Sequence, residues 1–386
     1  RGEVGQDDPA GDQGLPGVRN HAPRLGKVED EEIRKILAKF NATTWKAGLT
    51  WQVADMLTLR AVRALAAADV LVCDADTHPD VLALARRLLR EADDADLRAQ
   101  VRTLAAGIGS RHAGVPETLS SAQKYIQSTL GPANLGFQVS RHEFEADGQT
   151  YYNLVIDLPG APGPRAGEIV LVTANYDSTA GSPGANANAT GTAALMSLAQ
   201  SFAGSASART LRFAALVNES PPYAGTPRSG SVAYAASLRT RQDNVVAVVS
   251  LEGLGCYLDA PGSQKSPAGP ATPFPDTGNF LALIANPAGA PWLGPLGAEF
   301  TTATRLPLEP EDATSLPALM GSATARTFDQ AGFPVLLLTD TGALRDPHFQ
   351  KPGDTPDRID YLRFLEAVRG IEAMLRSLLN PVPVRS

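Results

Sequence analysis

The stretch that decides the fold runs from residue 168 to residue 232 and reads EIVLVTANYDSTAGSPGANANATGTAALMSLAQSFAGSASARTLRFAALVNESPPYAGTPRSGSV. Two apolar runs in it, IVLVTA (169–174) and LRFAALV (211–217), are typical of strands that are buried on both faces of a sheet. Helices are predicted to begin near Thr190 and near Gly230, after loops of small residues. This alternation of strands and helices predicts a largely parallel sheet.

The same alternation continues toward the end of the chain. Further apolar runs predict strands, and a helix is expected near Ser322 before a long amphipathic helix at 359–379. We therefore predict an α/β fold, in which a doubly wound, largely parallel mixed sheet has helices on both faces. The runs behind this prediction are VVAVVSL (245–251), FLALIAN (280–286) and PVLLLTD (334–340).

Two kinds of connection complete the predicted fold. FQVSRHEFEA (137–146) and YYNLVIDLPG (151–160) flank Asp147-Gly148, which is a standard turn signal for an antiparallel hairpin. The proline-rich segment 259–277 and the segment PAGAPWLGPLG (287–297) are predicted to be long loops. Ligands of such sheets bind beyond the carboxyl ends of the strands, so we expect a cleft there.

Several motifs of this stretch resemble a known enzyme family. A turn at 175–178 reads NYDS, a loop at 183–191 reads PGANANATG, and the second strand ends in VNESPP at 217–222. Downstream, FDQAGFPVLLLTDTGALRDPHFQKPGDTPDRIDY occupies 328–361. Together these motifs resemble the zinc aminopeptidases of the M28 type over about residues 95–382. The resemblance implies the two-zinc exopeptidase fold, with a small helical or α/β appendage at the N-terminus.

The resemblance also indicates where the metal ligands of that family would lie. Zinc needs deprotonated nitrogen or oxygen donors, and such a site supplies them as imidazoles and carboxylates. An amide is a poor zinc donor, a neutral hydroxyl is worse, and alanine offers none. By this matching only Glu252 is a retained ligand, and the other four positions hold Asn175, Ala187, Ser220 and Gln350. We therefore expect no zinc cofactor.

Two further acidic residues match the family's catalytic positions. Glu219 stands where the general base stands, and Asp177 stands where an aspartate orients the first histidine. They are either working groups or vestigial ones, because without a metal ion Glu219 has no activated water to deprotonate. A supporting Ser-Asp-His element is replaced by 323–325, which read ATA. His348 is a possible substitute ligand, since residues i and i+2 of an extended segment point the same way.

Composition excludes several other classes of function. The 386 residues include 34 basic and 41 acidic ones, so the formal net charge is −7, and no basic stripe indicates a nucleic-acid partner. No run of about 18 uncharged apolar residues predicts a membrane span. Cys73 and Cys256 are interpreted as free buried thiols and not as a disulfide or a metal site.

The N-terminal quarter is predicted to be separate from this core. Residues 1–26 are interpreted as a flexible leader, 27–94 as a small N-terminal region, and 95–386 as the M28-like domain. Residues 56–87 resemble a helix, strand and helix of the tetrapyrrole methyltransferases. Residues 49–55 lack the glycine-rich turn that brings backbone amides close to S-adenosylmethionine, so this patch is interpreted as a remnant.

Three functional hypotheses follow from the sequence. The first is an M28-like protein without zinc or catalysis, whose cleft binds a peptide or a protein. The second is an active hydrolase with a remodelled single-metal site built from Asp177 and Glu252, with His348 as an optional third ligand and Glu219 as the base. The third, a remote one, is an S-adenosylmethionine-binding methyltransferase remnant.

Overall fold

The computed structural model describes residues 93–266, 274–313 and 323–381. Within these ranges, eight strands form one mixed sheet in the order β1-β2-β4-β3-β5-β8-β6-β7. The strands are β1 (Ser140–Ala146), β2 (Gln149–Leu158), β3 (Glu168–Asn175), β4 (Thr210–Leu216), β5 (Asn244–Glu252), β6 (Leu281–Ala285), β7 (Leu308–Asp312) and β8 (Val335–Thr339).

Helices cover both faces of the sheet. They are α1 (Pro116–Leu130), α2 (Thr190–Ser201), α3 (Gly230–Thr240), α4 (Leu293–Ala303), α5 (Ala323–Gln330) and α6 (Tyr361–Leu379). Residues 93–102 are helical too and pass directly into a π-helical segment, Thr103–Ile108. The predicted leader, most of the predicted N-terminal region, Cys73 and the patch at 56–87 lie outside the described residues. The predicted domain boundaries stay predictions.

The pairing of the strands explains why the centre of the sheet reads as continuous apolar runs. β4, β3, β5 and β8 are parallel neighbours, whereas the β1–β2 hairpin joins β4 in antiparallel fashion and β6 joins β8 in the same way. Alternate residues of a strand face opposite sides of a sheet. Val170 and Val172 accordingly pack in one core cluster, and Ile169 and Leu171 pack in another. The predicted doubly wound α/β class is confirmed.

The two core clusters assign the helices to faces. One contains buried residues of α1, α2, α4 and α6, and the other contains buried residues of α3 and α5. α3 begins where the sequence predicts, because Gly230 follows Ser229, whose hydroxyl accepts a hydrogen bond from the Val232 amide and caps the helix. The prediction of a loop at 287–297 is wrong, since α4 begins at Leu293 and buries Leu296 and Phe300.

Candidate functional site

A cavity of about 420 Å³ lies beyond the carboxyl ends of the parallel strands. Asn175 comes from the end of β3, Glu219 and Ser220 follow β4, and Glu252 ends β5. Ala187 reaches the cavity from the loop that leads into α2. Gln350 completes this set from a turn after β8. The cavity therefore contains six of the eight residues that the sequence singles out.

Asp177 lies beneath the cavity and does not line it. It is almost fully buried and accepts hydrogen bonds on both carboxylate oxygens, from the Asn175 side-chain amide at 3.1 Å and from the Ser220 backbone amide at 2.8 Å. Burial is the largest influence on this group and raises the pKa of Asp177 above its usual value. Its position beside residue 175 is the one that the sequence predicts.

Asn175 belongs to a closed hydrogen-bonded group. The Asn188 amide nitrogen donates to the Asn175 Oδ1 atom at 2.9 Å and to the Leu251 carbonyl at 2.8 Å. The Asn188 Oδ1 atom accepts from the backbone amides of Gly191 and Gly253. A Cβ atom at position 191 would lie 2.4 Å from that oxygen, so glycine is needed there. Both polar ends of the Asn175 amide are thus used within the protein.

Glu219 is held by two donors. The Ser231 backbone amide, in the first turn of α3, donates to its Oε1 atom at 2.6 Å. The Thr324 hydroxyl, in the first turn of α5, donates to its Oε2 atom at 2.7 Å. Thr324 thus stands where the resemblance implies a supporting aspartate, and it supports Glu219 by donating a hydrogen bond. The sequence did not reveal this contact.

Burial controls the acidity of the two glutamates in the cavity. It raises the pKa of Glu219 to about 7, against hydrogen bonds that lower it. Burial first, and the nearby Glu219 charge second, raise the pKa of Glu252 to about 8. The charge of Arg326, another residue of the cavity wall, acts on Glu252 in the opposite direction. A general acid or base near neutral pH needs a pKa in this range.

The substitute ligand His348 is not where the sequence argument requires it. The argument assumes an extended segment, but residues 347–350 form a turn, and Gln350 has a φ of 60°. The His348 ring lies against Gly353, and among the described residues Phe349 and Gln350 line the cavity while His348 does not. The alternation of i and i+2 that would place His348 beside Gln350 therefore does not apply.

The donor chemistry of the cavity does not fit a pair of zinc ions. Of the five positions, Glu252 alone carries an ionisable donor, and Asn175 is engaged with Asp177 and Asn188. Within 93–266, 274–313 and 323–381, no three His, Cys, Asp or Glu side chains are grouped so that they could hold one metal ion. We derive no reaction step through zinc.

Cys256 and His112 do not line the cavity. Cys256 is a free thiol, as predicted, but it is partly exposed and not buried. His112, in the turn before α1, accepts a hydrogen bond from the Gly114 amide at 3.0 Å. In the described part of the chain, no helix is both long and apolar enough to cross a bilayer.

Comparison with known proteins agrees with this architecture. The sequence model of peptidase family M28 matches residues 153–277, which include part of the hairpin strand β2, strands β3 to β5, and Glu219 and Glu252. This match supports the resemblance of the chain to the M28 family. It gives no support to the methyltransferase resemblance at 56–87.

Similarity to individual proteins extends over 74% of the chain for one relative and over 76% for a solved structure. The chain is 27% identical to the uncharacterized protein YfbL of Escherichia coli strain K12 over 296 residues, 74% of this chain and 88% of YfbL. It is 32% identical to leupeptin-inactivating enzyme 1 of Streptomyces exfoliatus over 156 residues, 40% of this chain and 32% of that enzyme. The structure of BSAP, a zinc aminopeptidase from Bacillus subtilis, superposes with a TM-score of 0.57 at 14% identity, covering 76% of this M28-like chain and 96% of BSAP. That last likeness shows the fold alone.

Proposed function

We propose that this M28-like chain has lost the zinc pair and the hydrolysis that depends on it, and that its cleft binds a peptide or a protein segment. One observation carries the proposal. Both ends of the Asn175 side-chain amide, at the first of the ligand positions that the resemblance implies, are hydrogen-bonded within the protein, to Asp177 at 3.1 Å and to Asn188 at 2.9 Å. A group of this kind needs no metal ion to satisfy it.

Under this proposal Glu219 has a structural role in place of a catalytic one. Both of its carboxylate oxygens accept hydrogen bonds from the protein, from Ser231 and Thr324. A general base must reach the proton that it removes with a free lone pair directed at it. Each oxygen has a second lone pair, but no metal-bound water is available for it to deprotonate under this proposal.

The lining of the cavity supports a peptide-like ligand. The lining combines carboxylate, amide and hydroxyl groups with apolar side chains. Peptide segments combine backbone polar groups with apolar side chains, so they match both kinds of lining at once. The large apolar side chains of the lining are Phe274, Ile284, Leu337, Leu344 and Phe349.

The test is the metal content and the activity of the purified chain beside a restored variant. The variant carries Asn175→His, Ala187→Asp, Ser220→Glu and Gln350→His, which return the donors that the resemblance implies. After equilibration with zinc and dialysis, we expect far less than one zinc per native chain and about two in the restored variant. Tight stoichiometric zinc in the native chain would refute the proposal.

The alternative of an active hydrolase keeps one favourable observation, namely that Glu219 and Glu252 line one cavity with raised pKa values. It predicts hydrolysis of aminoacyl-nitroanilides by the native chain that is lost in Glu219→Gln and in the presence of a chelator. We expect neither activity nor a chelator effect.

A further inference from the structure

Arg111 is a fully buried cation, and the described residues give it an unusual set of partners. Its exposed fraction is 0%, although arginine is almost never fully buried without a paired carboxylate. Its guanidinium donates instead to five backbone carbonyls. The carbonyls, at 2.7 to 3.1 Å, belong to Leu104, Gly109, Tyr176, Pro183 and Gly184.

These carbonyls come from three separate segments. Leu104 and Gly109 belong to the end of the first described helix, and Tyr176 immediately precedes Asp177. Pro183 and Gly184 begin the loop that carries Ala187 and Asn188 to the cavity. A planar guanidinium has five N–H groups in a fixed fork and can serve carbonyls on several sides at once, which an ammonium group on a flexible stem cannot do.

The same loop also contacts an acidic side chain. The buried Asp354 carboxylate accepts from the backbone amides of Asn186 at 2.7 Å and Ala187 at 3.1 Å. In this loop the carbonyls of Pro183 and Gly184 therefore accept from Arg111. The amides that follow, of Asn186 and Ala187, donate to Asp354. Each peptide group carries a dipole, so a cation at the carbonyl side and an anion at the amide side both favour this one orientation of the loop.

The geometry of the 183–189 loop depends on close packing around Gly184. Gly184 has a φ of 61°, and a Cβ atom there would lie 2.5 Å from the Ser178 Cβ atom and 2.6 Å from the Ala187 carbonyl oxygen. The loop then delivers Asn188, whose amide ties β3 to β5 through Asn175 and Leu251. The Arg111 contacts are thus connected to the floor of the cavity through one short stretch of backbone.

We propose that Arg111 and Asp354 are positioning residues that hold the 183–189 loop between them and so keep the cleft in shape without metal ions. Neither side chain is among the residues that line the cavity, so both act through the loop. The inference concerns the loop and not the ligand, and it goes beyond the loss of zinc proposed above.

Hydrogen–deuterium exchange of the full chain tests this proposal. We expect the amides of 185–189 to exchange at least about tenfold faster in Arg111→Lys, the factor expected when one or two hydrogen bonds are lost. Arg111→Met is expected to exchange faster still. Asp354→Asn is expected to accelerate the same amides from the other side, and these two conservative variants carry the test if Arg111→Met does not fold.

The matched control is Arg209→Met. Arg209 is also buried and bonds to Glu168 and the Leu378 carbonyl, but it lies at the amino end of β4, away from the cavity. We expect this variant to lose stability without selective acceleration of 185–189. Equal exchange of that loop in Arg111→Lys and the native chain would overturn the proposal, as would equal acceleration in Arg209→Met. The readout contains no zinc and no ligand, so its failure is separate from failure of the proposed function.

Discussion

The two ends of the central strands treat their charged residues in opposite ways. At the amino ends, acids meet arginines: Glu168 bonds to Arg209 at 2.5 Å, and Asp243 bonds to Arg212 at 2.6 Å. Burial favours the neutral form of Asp243, but hydrogen bonds from Arg241 and Arg212 outweigh it, and the pKa of Asp243 lies below its usual value. At the carboxyl ends, burial raises the pKa values of Glu219 and Glu252.

This difference separates residues that stabilise the fold from residues that do not. A carboxylate whose pKa is lowered in the folded state contributes stability, and one whose pKa is raised subtracts it once it must ionise. Glu219 and Glu252 therefore lower the free energy of unfolding near neutral pH. Retained acids of this kind are typical of a binding or catalytic cleft, and in this chain the proposed role is binding.

The largest effect is expected at the amino ends. Arg209→Met leaves the Glu168 carboxylate and the Leu378 carbonyl without their buried partner, so unfolding free energy is expected to fall by about 3 kcal/mol. Urea unfolding of the variant and the native chain measures the difference. Arg98→Met serves as a control, because Arg98 makes a more exposed ion pair with Asp94 and should cost about 1 kcal/mol or less. Equal costs in the two variants would show that the buried Arg209 contacts contribute no more stability than a more exposed ion pair.

A pH experiment compares the two ends directly. The folded state keeps the Glu252 proton up to a pH near 8, while the unfolded chain releases it near its ordinary pKa, so stability falls as pH rises through that window. Glu252→Gln removes this loss, and its advantage over the native chain is expected to be on the order of 2 kcal/mol larger at pH 8 than at pH 5.

Asp243→Asn is the matched control for that experiment. Because the folded pKa of Asp243 is lowered, its contribution is present above the unfolded pKa and is lost only as pH falls through the folded value. The variant is therefore expected to be less stable than the native chain by the same amount at pH 5 and pH 8. Thermal melts at pH 5 and pH 8 measure whether each variant is more or less stable than the native chain. A Glu252→Gln variant that is less stable than the native chain at pH 8 would contradict this account of the cavity.

A smaller effect is expected where Thr324 supports Glu219. Thr324→Val keeps the shape of the side chain but removes the hydroxyl that donates to the Glu219 Oε2 atom, which should cost about 1 kcal/mol. Thr324→Ser retains the hydroxyl and is expected to recover part of the loss. Chemical denaturation measures both variants, and an unchanged Thr324→Val would show that the hydrogen bond contributes nothing.

The smallest effect is expected at Gln350. Its side chain is exposed at the cavity, so Gln350→Ala should change the unfolding free energy by less than about 0.5 kcal/mol. A larger loss, measured in the same denaturation assay, would show that a former ligand position has become structural.

Much of the fold was predictable because its strands are long apolar runs between helices. VVAVVSL and PVLLLTD form neighbouring parallel strands, as the sequence indicates. Helix α4 was missed because Gly294, Pro295 and Gly297 suggest a loop, and the burial of Leu296 and Phe300 outweighs that local preference. β7 was missed because LEPED is polar and contains proline, which an edge strand tolerates.

The site was predictable only in part, for a physical reason. Motif spacing placed Asn175, Glu219 and Glu252 at strand ends, and the structure brings them to one cavity. The partners of Arg111 lie up to 73 residues away in sequence, so no local pattern indicates them. His348 was misjudged because the argument assumed an extended backbone where the chain turns. Because the chain turns there, the His348 ring lies against Gly353.

The central claim is tested most directly by a crystal structure of the native chain grown with zinc, with anomalous data collected on both sides of the zinc absorption edge. The account predicts no zinc peak between Glu219 and Glu252, and it predicts Asn175 still bonded to Asp177 and Asn188. A strong zinc peak bound by Glu252 together with Asp177, or together with a second residue of the cavity lining, would contradict it.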